Sequence, residues 1–179
     1  MRTRARMAVG VAAAWLVSGG VFLSNEARAA AGGRAMAPSE AAFARLAALA
    51  GEWEGTQQGV AVTLTYTLIA DGTALMEEMR PAGSASMITM FSVDGNRLLA
   101  THYCSAGNQP QMATGAIASA DPPSLEFSLL RVTGLKTPGD WHNTGLAVSL
   151  EDVNHMTQRW SYEDHGKTGT NVFHYARKR

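Results

Sequence analysis

Residues 60–72, VAVTLTYTLIADG, set Val62, Leu64, Tyr66 and Leu68 in alternation with Thr63, Thr65 and Thr67, and then break at Asp71-Gly72. Alternate residues of a strand face opposite sides, so this stretch has one apolar and one polar face and belongs half-buried in a sheet. Asp-Gly is the chemistry of a tight hairpin turn. The same unit recurs: TALMEEMR with a Pro81-Ala82-Gly83 turn, SMITMFSV with an Asp94-Gly95-Asn96 turn, and RLLATHYC followed by Ser105-Ala106-Gly107-Asn108-Gln109-Pro110. QMATGAIA, SLEFSLLRV, TGLAVSLED, HMTQRWSYED and TGTNVFHYARK continue it, and a strand around Trp53 brings the count to ten.

Ten short strands joined by tight turns, with no helical pattern between them, predict a mainly β chain folded as an antiparallel meander. Open twisted sheets seldom run so wide, and closure removes the exposed edges. The expected architecture is an up-and-down barrel with an interior for side chains or one small ligand. One short helix precedes it: Ser39 stands as N-cap, Phe43, Leu46, Ala47 and Ala50 recur at helical spacing, and Gly51 is the expected C-cap.

The N-terminus has a different grammar. Arg2, Arg4 and Arg6 precede an apolar run from Met7 to Leu23, and Ala27-Arg28-Ala29 follows as a small-residue cleavage site. This pattern predicts a signal peptide over 1–29, a flexible leader over 30–38 and the barrel over 39–179, in a protein that is periplasmic or secreted. No integral membrane span is expected after cleavage. Removing Arg2, Arg4, Arg6 and Arg28 from 15 basic residues, and Glu26 from 15 acidic ones, leaves a mildly acidic chain. A basic nucleic-acid footprint is therefore absent, and Arg177-Lys178-Arg179 reads as a solvated chain end. Cys104 is the single cysteine and has no disulfide partner within the chain.

LAALAGEWEG, YTLIADGTALMEE and MITMFSVDGNRLLATHYCSAGNQPQM together resemble an exported bacterial family of lipocalin-like barrels, domain of unknown function 1579, most closely over residues 49–112. The resemblance implies a calycin-type barrel with a pocket and assigns no reaction. Gly51-x-Trp53 looks like the lipocalin opening motif, in which the tryptophan plugs one barrel end. A fainter similarity is to the nitrobindin haem barrels, which have ten strands, a G-x-W-x-G opening and a haem-ligating histidine near the C-terminus. GEWEG keeps the glycines at 51 and 55, but QQG replaces the further glycine repeat.

Strand parity puts Leu98, Ala100, His102 and Cys104 on one face of RLLATHYC, and that face is expected to look inward. His102 and Cys104 then lie near a barrel mouth. A catalytic pair needs a thiolate within hydrogen-bond reach of the imidazole. No third orienting residue is identifiable, so the pair reads first as packing. The histidines at 102, 142, 155, 165 and 174 show no zinc spacing, and the scattered methionines read as core or pocket lining, so no metal is expected. His174 is the candidate for the haem alternative suggested by the nitrobindin likeness. Glu77 and Glu78 face opposite sides of their strand; a buried one would need a partner such as Arg80, Arg97, Arg131 or Arg159. Trp141, His142 and Asn143 follow Pro138-Gly139 in the longest loop and could form a lid. Nucleophile-elbow, P-loop and dinucleotide motifs are absent.

The leading expectation is a monomeric or weakly oligomeric barrel that binds a small, largely apolar molecule and carries no cofactor. Tyr66, Met76, Met90, His102, Cys104, Trp160 and Tyr162 are its candidate lining residues, with Asn108 and Gln109 at the rim. Two alternatives stay open: a haem-binding or Cys/His-based enzymatic barrel, and a filled barrel that serves as an interaction module.

Overall fold

A computed structural model describes residues 35–179, and the signal-peptide expectation lies outside these residues. One helix, α1 (Pro38–Ala47), leads into ten strands: β1 (Gly51–Gln57), β2 (Val60–Ile69), β3 (Ala74–Pro81), β4 (Met87–Asp94), β5 (Arg97–Tyr103), β6 (Gln109–Thr114), β7 (Ser124–Thr133), β8 (His142–Leu150), β9 (His155–Asp164) and β10 (Lys167–Arg177). Each strand pairs antiparallel with its neighbours in sequence, and β1 pairs with β10, so the sheet closes into a barrel. The alternation in β2 holds over its first part, where Val62, Leu64 and Tyr66 are buried and Thr63 is exposed, but Leu68 near the strand end is exposed. Among the described residues, no helix is long and apolar enough to cross a membrane.

Helix α1 starts two residues earlier and ends sooner than its sequence pattern predicts. Ala37 is the N-cap and Pro38 the first helical residue, while the Glu40 carboxylate accepts the Ala37 backbone N–H at 2.8 Å. Ser39 Oγ donates instead to the Gly95 carbonyl at 2.8 Å, pinning the helix to the β4–β5 turn. Gly51 does not cap the helix; it opens β1 with φ of +128°, and a Cβ there would stand 3.1 Å from Arg177 Nη1.

These contacts close one barrel end. Ala42, Phe43 and Leu46 of α1 are buried over it. Beneath them Trp53 is fully buried, and its Nε1 donates to the Leu49 carbonyl at 2.8 Å. The Arg177 guanidinium lies 4.3 Å from the Trp53 ring centre and donates to the carbonyls of Ala48, Ala50 and Val153. The β1–β10 seam depends on Gly55. A Cβ at that position would meet the His174 carbonyl oxygen at 2.3 Å and the Tyr175 ring at 2.7 Å. The loops between β3 and β4, β5 and β6, and β7 and β8 lie at the other end, which is the open one.

Candidate functional site

Four interior side chains lie along one register line across four strands. Tyr66 of β2 is opposite Glu77 of β3, Glu77 is opposite Thr89 of β4, and Thr89 is opposite His102 of β5. All four are buried. Directly opposed inward residues are close enough to bond in sequence. Tyr66 OH donates to Glu77 Oε2, Thr89 Oγ1 donates to Glu77 Oε1 at 3.2 Å, and Thr89 Oγ1 lies 3.0 Å from His102 Nδ1.

Gln158 and Trp160 of β9 complete a ring of contacts. Trp160 Nε1 can only donate, and it reaches Gln158 Oε1 at 2.9 Å. That fixes the Gln158 amide with its Nε2 turned the other way, donating to both Glu77 Oε2 and Tyr66 OH. The Trp160 ring lies 4.7 Å from the His102 ring, tilted by 50°. Glu77 thus collects three donors, and no lysine or arginine acts on it.

Burial pushes the Glu77 carboxyl above its ordinary value against these three hydrogen bonds. Burial, reinforced by Glu77, pushes the Tyr66 hydroxyl well up. Burial lowers His102 to about 4, so its imidazole is neutral at physiological pH. The expected arginine partners all lie elsewhere: Arg80 pairs with Glu78, Arg97 with Asp94, Arg159 with Glu126, and Arg131 bonds Gln111. Glu77 is held by neutral donors instead.

Above this ring, at the open end, is a cavity of about 90 Å³. Met79, Met87, Trp141, Trp160 and Phe173 give it apolar walls, and His102, Asn143 and Asn171 supply its polar groups. Asn171 Oδ1 is occupied by Gln57 Nε2 at 3.0 Å. His102 Nε2 and the Asn143 amide have no hydrogen-bond partner among the described residues. Trp141 covers the mouth, stacked on Tyr162 with ring centres 5.7 Å apart.

The sequence-derived candidates divide accordingly. His102 and Trp160 line the cavity, and Tyr66 belongs to the ring below it. Tyr162 braces the Trp141 cover. Asn108 is buried at the rim, where its Nδ2 donates to the Trp141 carbonyl at 2.7 Å and its Oδ1 is left unpaired. Cys104 is buried in the same turn, its Sγ near the Ala106 N–H at 3.5 Å, and burial raises its thiol pKa. It has no contact with the imidazole that would activate it.

Four candidates, Met76, Met90, Gln109 and His174, lie outside the interior. Met90 is opposite Met76 on the outer face of β4, because Thr89 and Phe91 take the inward positions. Gln109 turns outward and accepts the Thr133 hydroxyl at 3.0 Å. His174 is exposed on the outer face of β10, its Nδ1 2.9 Å from Thr157 Oγ1, so it cannot reach a ligand inside the barrel. Parity decides this too, since Phe173 and Tyr175 point inward. Sequence reasoning missed Asn171 and Phe173 as lining, and Thr89 and Gln158 as members of the ring; Met79 and Met87, grouped there with the other methionines as core or pocket lining, are the two that line the cavity. Met79 shares the parity of Glu77, which was the available signal.

No protein-family model and no curated protein matches the chain. Two solved structures are similar in fold. Rv2717c from M. tuberculosis has a TM-score of 0.56 and 13% identity, over 77% of this chain and 98% of that one. A protein of unknown function from the DUF3598 family of Nostoc punctiforme has a TM-score of 0.50 and 14% identity, over 74% of this chain and 49% of that one.

Proposed function

We propose that this chain is a lipocalin-like barrel that binds one small, largely apolar molecule in the cavity at its open end. The observation that carries the reading is the pairing of two polar groups that have no partner among the described residues, His102 Nε2 and the Asn143 amide, with walls of methionine and aromatic side chains. Ordinary ligand pockets hold a few convergent polar groups in an apolar surround. Below the cavity lie the buried ring and the hydrophobic core. The cavity volume of about 90 Å³ is well under the roughly 300 Å³ at which ordinary ligand pockets begin. The ligand is therefore a handful of heavy atoms, or it enters when the Trp141 cover moves aside.

Native mass spectrometry of freshly purified protein, together with tryptophan fluorescence titration against small apolar heterocycles, tests the reading. Bound ligand alters Trp141 and Trp160 emission, and His102→Phe weakens the response. A panel that leaves both the mass and the emission unchanged refutes it. The same reading places the protein outside the cytoplasm, on the strength of the N-terminal pattern. Sequencing the mature N-terminus from the periplasm or medium tests that part, with a start near residue 30 as the supporting result.

A further inference from the structure

The chemical class of the ligand follows from proton positions in the buried ring, and this inference rests on the cavity being the binding site. Thr89 has one hydroxyl proton and two neighbours, Glu77 Oε1 at 3.2 Å and His102 Nδ1 at 3.0 Å. When Glu77 is ionised it can only accept, so Thr89 gives its proton to the carboxylate and must accept from His102 Nδ1–H. A neutral imidazole protonated on Nδ1 has a bare lone pair on Nε2, the atom left without a partner in the cavity wall.

We propose that Glu77, acting through Thr89, holds His102 as its Nδ1-protonated tautomer, so that the cavity accepts neutral N–H or O–H donors, and that one proton on Glu77 inverts this preference.

The inversion follows from the same geometry. Glu77 Oε2 already accepts from Tyr66 and Gln158, whereas Oε1 has only Thr89. Tyr66 has little alternative, since its other acceptor is Met156 Sδ at 3.9 Å. An added proton therefore sits on Oε1 and donates to Thr89, which turns to donate to Nδ1. Nε2 then carries the imidazole proton and becomes a donor. The titratable groups facing Glu77 are Tyr66 from β2, His102 through Thr89 from β5, and Tyr175 from β10. Both tyrosines are held in their neutral form by burial. Burial keeps His102 neutral down to about pH 4, below the raised value of Glu77, which leaves an acidic window for the inverted tautomer. Glu77 and Thr89 are positioning residues in this scheme, because neither lines the cavity.

The test is ¹⁵N NMR of the His102 ring in the full folded chain, with no ligand added. At neutral pH the expected pattern is a protonated Nδ1 and a bare Nε2. In Glu77→Gln the side-chain amide faces Thr89 as a donor, and the expected pattern reverses. If that variant does not fold, titrating the wild-type protein into acid gives the same readout, with the tautomer inverting before the ring becomes doubly protonated near pH 4. A protonated Nε2 in the wild type at neutral pH, or an Nδ1-protonated ring that persists in Glu77→Gln, overturns the proposal. The near-isosteric probes pyrrole, a donor, and furan, which has no N–H, then read out ligand class. Pyrrole is expected to bind about five-fold tighter at neutral pH, on the scale of one net hydrogen bond, and to lose that margin in Glu77→Gln. The expected tautomers with neither probe bound would refute the binding site and leave the relay standing. Tight binding of both probes without preference would refute the assigned ligand class.

Discussion

Lowering the pH from 7 to 4 puts a proton on His102 in the unfolded chain long before the folded protein accepts one. Burial holds the folded imidazole at about 4, against an ordinary 6.5. Between these values the unfolded chain binds the extra proton, so this contribution to stability is complete above 6.5 and is lost as pH falls toward 4. At about 1.4 kcal/mol per pH unit the loss is ~3 kcal/mol. That is a large share of the roughly 5–15 kcal/mol by which a domain is stable. Glu77 acts with the opposite sign: its raised folded value makes stability fall as pH rises through the window above 4.5. A difference measurement separates the two. His102→Asn keeps an amide donor near Thr89 and removes the titrating ring. Urea denaturation followed by tryptophan fluorescence at pH 7, 6, 5 and 4 should show the wild type losing ~3 kcal/mol more than the variant. Parallel curves for the two proteins would mean that His102 is not the buried, neutral group described above.

Three other perturbations address separate parts of the molecule. Gly55→Ala forces a methyl group against the β10 backbone and the Tyr175 ring, and should cost about 2–3 kcal/mol in urea denaturation. Gln158→Leu strips Glu77 of one donor, Tyr66 of its donor and Trp160 of its acceptor; a loss of about 3–5 kcal/mol is expected, while Arg80→Ala on the outer face costs under ~1 kcal/mol in the same assay. Cys104 should react with a disulfide reagent far more slowly in the folded protein than in urea, because burial raises its pKa and shields it; equal rates would contradict its placement.

The barrel was legible because its cues are local. Alternation marks each strand, and turn residues mark each reversal, so the ten strands can be counted without knowing which ones touch. Facing was legible only where the two sides of a strand differ. RLLATHYC placed His102 inward, as found. MITMFSV has large apolar residues on both sides, and Met90 was accordingly assigned to the wrong one. Ser39 resembles a cap because it is a hydroxyl residue two positions after the true N-cap, Ala37, but its partner, Gly95, is far off in sequence. The ring around Glu77 was the least legible feature. It needs the register of β2 to β5 and a glutamine from β9 across the barrel, and none of this is encoded in spacing along the chain. An arginine was expected beside the buried glutamate, because a charge inside a protein usually takes a counter-ion. Three neutral side chains, Tyr66, Thr89 and Gln158, do that work here, and only the register brings them together.

The pairing of β1 with β10 has a consequence for synthesis. The other neighbouring strands meet as hairpins soon after they are made, whereas Trp53 must wait for Arg177 of β10, eight strands beyond its own hairpin partner, before its ring is covered. Until then the growing protein carries two unpaired strand edges and an uncapped indole, the kind of surface on which chains stick to one another. Ribosomal pausing within β10 would therefore harm yield far more than its length suggests, and a nascent chain of this design has most need of a chaperone until β10 has been made.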